Sequence, residues 1–192
     1  MSDAQQYVRR AGRASLSDGR LLLWSVAEGR RGRRWRARLT GPNGVLESDL
    51  LLELAPDGAP ARLEVTTASG MLTLHPETDH GSAHGNVVFD AGVRPIALPW
   101  SPGAAMHVAG HPITVAAIAH RLAASLAVGA AAEVPILRID DELAVRSGIG
   151  RVRREDRDQW TIDVGGQAVS LATRKDGVPR FGPDADEWPL EE

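Results

Sequence analysis

The stretch from Pro112 to about Ala130, P-I-T-V-A-A-I-A-H-R-L-A-A-S-L-A-V-G-A, is the only segment of the chain that reads as a long helix. At helical spacing Val115, Ile118, Leu122 and Leu126 fall on one narrow stripe, and Ala116, Ala123, Ala127 and Ala130 cover the neighbouring face. Thr114, Arg121 and Ser125 leave only a thin polar seam. A helix that is apolar around most of its girth has to be buried. The adjacent His120 and Arg121, and a length short of the ~20 clean apolar residues a bilayer requires, argue against a membrane span. The remainder of the chain must therefore provide a concave surface that receives this helix.

That remainder reads as strands. Leu21 to Ala27 leads through E-G-R-R-G-R into Trp35 to Leu39, where Trp35, Ala37 and Leu39 point one way and Arg34, Arg36 and Arg38 the other. Gly41-Pro42-Asn43-Gly44 is a turn, and in the run Val45 to Leu54 the leucines at 46, 50, 52 and 54 lie opposite Glu47, Asp49 and Glu53. Pro56-Asp57-Gly58 turns the chain into Arg62 to Thr67, and Ser69-Gly70 into Met71 to His75. After a loop over residues 76 to 85, two strands follow at His84 to Phe89 and Val93 to Leu98. A Pro/Gly-rich connection then delivers the helix. Beyond it come Val134 to Asp140, Ala144 to Arg153, a hairpin through Gly165-Gly166, and a short strand near Val178 to Phe181. Turns every eight to twelve residues imply antiparallel meanders. The expected fold is α+β, mostly β: a curved antiparallel half-barrel sheet of about 10–12 strands wrapped around one buried helix, 112–130. Residues 1–20 read as a polar N-terminal arm, 21–183 as a single domain and 184–192 as an acidic tail.

A chain of 192 residues can bury a core without staples. With no cysteine there are no disulfides, thiolate ligands or thiol nucleophiles, and with no apolar signal segment the expectation is a soluble cytoplasmic protein. All basic residues except Lys175 are arginine, a skew most simply explained by GC-rich codons, and it discounts arginine clusters. The net charge of -3 gives no overall direction toward nucleic acid, which is not the partner expected, but the distribution is uneven. Ten arginines fall within residues 1 to 40, against Asp3, Asp18 and Glu28.

Several constellations could carry chemistry. All six histidines lie between residues 75 and 120, and His80 with His84, and His107 with His111, have H-x-x-x-H spacing. Gly81, Gly110 and Pro112 argue against either pair being helical, so a metal-assisted hydrolase using the loops at 75–84 and 107–111 is a weaker alternative, with His80 and His84 its ligands. There is no G-x-S-x-G, and Gly148-Ile149-Gly150 lacks the third glycine of a phosphate cradle. The acids Asp140, Asp141 and Glu142 read as a solvated turn. The basic run at 30 to 38 offers an anion-binding row, Arg34, Arg36 and Arg38, for an acidic partner, against the blander reading of an outward-facing charged strand. Of the five tryptophans, Trp100 stands out, because it sits in a loop with Met106, His107 and His111 just before the helix. Arg121, a charge on a buried helix, needs an acid or an anionic ligand group as partner.

The order of meander, loop, short helix H-P-I-T-V-A-A-I-A-H-R-L and second meander, with the D-G-V-P turn at Asp176 to Pro179, resembles the glycolipid-binding family and the wider lipoprotein-carrier half-barrels. The likeness covers roughly residues 20 to 182 as a layout. It implies a cavity between sheet and helix that shelters a lipid-like or glycolipid-like amphipathic molecule, without chemistry and without a cofactor. Trp100, Met106 and Leu122 would then supply apolar contact, and Arg121, His107 and His111 would orient a polar head.

Overall fold

The computed structural model describes residues 8–189. Among them are fifteen strands, one α-helix and one short 3-10 turn, Thr78–His80. The first run comprises β1 (Arg9–Ser15), β2 (Leu21–Gly29), β3 (Gly32–Thr40), β4 (Leu46–Leu54), β5 (Pro60–Thr67), β6 (Gly70–Glu77), β7 (Ser82–Phe89) and β8 (Gly92–Pro99). After it come β9 (Ala105–Val108), α1 (Pro112–Leu122), β10 (Ala131–Ile139), β11 (Val145–Arg154), β12 (Gln159–Val164), β13 (Gln167–Thr173), β14 (Pro179–Arg180) and β15 (Asp186–Pro189).

The chain is mostly β with one helix, as expected, but its strands divide into two sheets. Nine strands in the order β15-β1-β2-β3-β4-β5-β6-β7-β8 form one antiparallel sheet, and β14-β13-β12-β11-β10-β9 form the other, a curled half-barrel. Within the second sheet β9 and β10 run parallel, with Met106 opposite Leu137, so α1 is a crossover between them.

The helix serves both sheets. Ile113 and Ala117 join the cluster built on Leu22, Trp35, Leu52 and Leu74 of the nine-stranded sheet. Val115, Ala116, Ile118 and Ala119 join Ile136, Val152, Trp160 and Ile162 of the six-stranded one. Every residue from 113 to 119 is buried, which is why no polar face was available to the sequence there. The helix is shorter than the 112–130 of the sequence reading. Pro112 opens it at the first turn, where its missing N–H is no loss. It stops at Leu122, and Arg154 holds the chain that follows. Its Nη1 donates to the carbonyls of Ala123 and Leu126, each at 2.8 Å, and its Nη2 to Arg157 O at 2.9 Å. Those bonds satisfy carbonyls of the C-cap residue Ala123 and of the turns beyond the helix. The guanidinium carbon also lies 5.0 Å from the centre of the Trp160 ring, a cation–π distance.

Three strands lie outside the sequence reading. β1 falls in the supposed arm and β15 in the supposed tail, and the two pair with each other, Ala11 opposite Trp188. β1 gives no apolar alternation because its inward positions are Arg10, Gly12 and Ala14. A Cβ on Gly12 would lie 2.8 Å from the Trp24 ring, so the bulk comes from β2 instead. β9 lies in the connection read as a loop, and all four of its residues are buried, so it has no wet face to produce an alternating pattern. Residues 1–7 of the arm and 190–192 of the tail lie outside the described residues.

Candidate functional site

The six residues expected to line one pocket do not converge. Trp100 belongs to the core of the nine-stranded sheet, and its backbone N–H donates to Gly81 O at 2.8 Å. Leu122 packs on the opposite cluster. Only Met106 and Arg121 border the crevice beside the helix, together with Leu52, Leu54 and Ile118, and the free space there is about 10 Å³. That is room for one water at most. Among the described residues Arg121 pairs with no acid: its Nη1 donates to Ala104 O at 2.7 Å, and its aliphatic stem lies over Gly58.

His107 and His111 are buried where β9 meets α1. Thr114 ties the junction together, its hydroxyl donating to His111 O at 2.9 Å and accepting from Val108 N at 3.2 Å, with His107 Nδ1 3.3 Å away. Neither ring nitrogen of His111 has a partner. Burial, reinforced by the Arg20 charge and by His107, pushes the His111 pKa down to about 3. Burial, with the Arg138 charge, lowers that of His107 to about 4. Both imidazoles are therefore neutral near pH 7, and they are packed inside rather than facing a pocket mouth. Burial also lowers the pKa of His120, whose ring rests against Gly177 of the D-G-V-P turn. That glycine has φ 75° and the ring occupies the place of a Cβ, so the two motifs behind the family likeness meet in space.

His80 and His84 lie on the surface around Glu77, with His80 Nδ1 3.2 Å and His84 Nε2 3.9 Å from its Oε2. His84 Nε2 is also 2.8 Å from the Ser82 hydroxyl. Among the described residues no group of three or more His, Cys, Asp or Glu side chains is placed to hold a metal ion.

The arginine row behaves as its alternation requires. Trp35, Ala37 and Leu39 are buried, and Arg34, Arg36 and Arg38 stand on the outer face of β3. The neighbouring strand decides their electrostatics. Register places Glu53 opposite Arg34, Leu51 opposite Arg36 and Asp49 opposite Arg38. Arg34 accordingly pairs with Glu53 at 2.5 Å and Arg38 with Asp49 at 2.9 Å. Arg36 faces Leu51 on one side and Ser25 on the other, and forms no ion pair or hydrogen bond among the described residues. Arg30 and Arg31, the exposed turn residues between β2 and β3, are likewise without one. A groove of about 630 Å³ runs from this hairpin tip past Arg34. Arg33, pointing inward, is 5% exposed, its Nη1 donating to Asp176 O at 2.7 Å and its Nη2 to Glu28 at 2.6 Å, while its buried Nε has no partner among the described residues. The row was legible in the sequence. Its one unneutralised member was not, because that depends on cross-strand register.

Comparison of the chain with family models, curated proteins and solved structures returned no match. Among the described residues no helix is long and apolar enough to cross a membrane.

Proposed function

We propose that the chain is a binding module that docks an acidic protein partner on the outer face of β2 and β3 and on the hairpin tip between them. The observation that carries this reading is uneven neutralisation. Arg34 and Arg38 are each matched by a carboxylate directly opposite, whereas Arg30, Arg31 and Arg36 are matched by none among the described residues. Exposed ion pairs add little to stability, so the acids on β4 chiefly set which guanidinium groups remain open to a partner. An open guanidinium fork fits a carboxylate bidentately. The chain carries a net charge of -3, so cations gathered on one face orient an acidic partner while the rest of the surface repels it. The test is fluorescence anisotropy with a labelled oligoglutamate peptide. Affinity should fall as salt rises, and should fall about tenfold or more in a variant carrying R30E, R31E and R36E. Equal binding by that variant would overturn the proposal.

The crevice beside α1 favours a second reading, the sheltered amphiphile. Its walls are apolar, and the cation at its edge, Arg121, is bonded to a carbonyl rather than a carboxylate. A guest would enter only if Arg121 left Ala104 and Gly58, widening a space of about 10 Å³. A monomeric lysolipid that raises the melting temperature of the wild type, with the rise abolished by Met106→Trp, would support this reading. No shift in the wild type would dismiss it.

A further inference from the structure

Four of the five tryptophans are buried. The fifth, Trp188 on β15, is 44% exposed. Register places it in one transverse row with Arg36, which is unpaired among the described residues: Trp188 lies opposite Ala11, Ala11 opposite Ser25, and Ser25 opposite Arg36. Directly opposed residues of an antiparallel sheet share a face, so all four side chains stand on the outer side. The two intervening residues are small. At ~4.8 Å per strand, the walls of this dish are about 14 Å apart at their Cα atoms. Leu23, 40% exposed, is the next outward residue of β2 and adds apolar surface to the floor. The depression has a volume of about 340 Å³.

We infer that this dish recognises a specific motif in the acidic partner: an extended segment bearing an aromatic or large aliphatic side chain two residues from a carboxylate. Residues i and i+2 of an extended chain project to the same side about 7 Å apart, a span the dish accommodates between its walls. The apolar side chain lies against Trp188 and Leu23, and the carboxylate meets the Arg36 fork. Arg38 does not compete for it, because both its Nε and Nη2 are already held by Asp49 Oδ2, at 3.1 and 2.9 Å. Tryptophan and arginine are among the side chains in which the binding energy of an interface most often concentrates. This inference rests on the docking reading and names what the partner presents.

The experiment compares two peptides of equal length and charge, one of glutamate and serine only and one with a single phenylalanine placed two residues from a glutamate. The readouts are affinity and the emission of Trp188, isolated as the difference between wild type and Trp188→Thr. The phenylalanine peptide should bind about tenfold more tightly, as expected for a filled aromatic anchor, and should shift Trp188 emission to the blue. Both the preference and the shift should vanish in Trp188→Thr, and the affinity should fall in Arg36→Gln. Thermal melts of both variants verify that the sheet is intact, and Trp188→Phe, retaining a ring, should keep the preference. Equal affinities for the two peptides with an unmoved Trp188 would overturn this inference and leave the docking reading standing. Binding of neither peptide would overturn both.

Discussion

The interior beside α1 and the outer face of β1 to β4 treat their charges in opposite ways. Inside, guanidinium groups are absorbed by the fold. Arg121 is bonded to Ala104 O, Arg154 to three backbone carbonyls, and Arg33 to Glu28 and Asp176 O. Outside, the ladder of opposed charges on β3 and β4 has a gap, and Arg36 stands in it. The difference shows that a cation in a well-filled core is used up by carbonyls that would otherwise lack partners. On a sheet surface the choice of residue opposite decides whether it stays available. Arginine content alone cannot distinguish the two; register and burial can.

This contrast can be broken at several points. The largest effect should come from emptying the helix-side core. Trp160 is buried against Val152, Ile162 and the helix, so Trp160→Ala should lower unfolding stability by about 3–5 kcal/mol in denaturant titrations. A loss below 1 kcal/mol would mean that the second cluster is loosely packed.

Next comes acid. His107 and His111 have folded pKa values near 4 and 3, below the ordinary value near 6.5 that they regain on unfolding. The unfolded chain therefore binds more protons below pH 6.5, and the contribution of the neutral buried rings, complete above that pH, is lost as the pH falls toward 4. Each imidazole adds a slope of up to about 1.4 kcal/mol per pH unit in that window. Charged neighbours act in the same direction, since Arg20 faces His111 and Arg138 faces His107. The variant His111→Leu should flatten the slope by about one proton. An unchanged profile would place His111 in contact with water.

A smaller loss is expected from Arg154→Ala, which leaves the carbonyls of Ala123, Leu126 and Arg157 without this donor. About 1–3 kcal/mol should disappear, with faster amide exchange over residues 120 to 127. Arg36→Ala should change stability least, within about 0.5 kcal/mol, because that side chain forms no ion pair or hydrogen bond among the described residues. A large loss there would mean that Arg36 is structural and unavailable to a partner.

Much of the architecture was written in alternation. The outward arginines and inward Trp35, Ala37 and Leu39 of β3 follow from period two alone, and the turns at Gly41 to Gly44 and Gly165-Gly166 from their turn-forming residues. Three strands escaped because their signals were erased by packing. Gly12 had to be bare to seat Trp24, Ala105 to Val108 are covered on both faces, and Asp186 to Pro189 pair with β1 while carrying acids. The helix is shorter at its far end than its composition suggests, because Ala123 to Ala127 keep helical composition while their turn is held by a distant side chain, Arg154. The site was less legible than the fold. The expected pocket residues were grouped by closeness in sequence, and Trp100, Leu122 and the two buried histidines scatter into separate packing environments. The Trp188–Arg36 row spans the two ends of the chain and exists only through the β15-β1-β2-β3 pairing.

The most direct test is a two-dimensional NMR titration of the chain with the phenylalanine-bearing acidic peptide. Shifts concentrated on the Trp188 indole N–H, the Arg36 side chain and the backbone of β1 to β3 are the predicted result. Shifts centred on Leu52, Met106 and Ile118, with Arg36 and Trp188 unmoved, would contradict it and move the binding site into the interior.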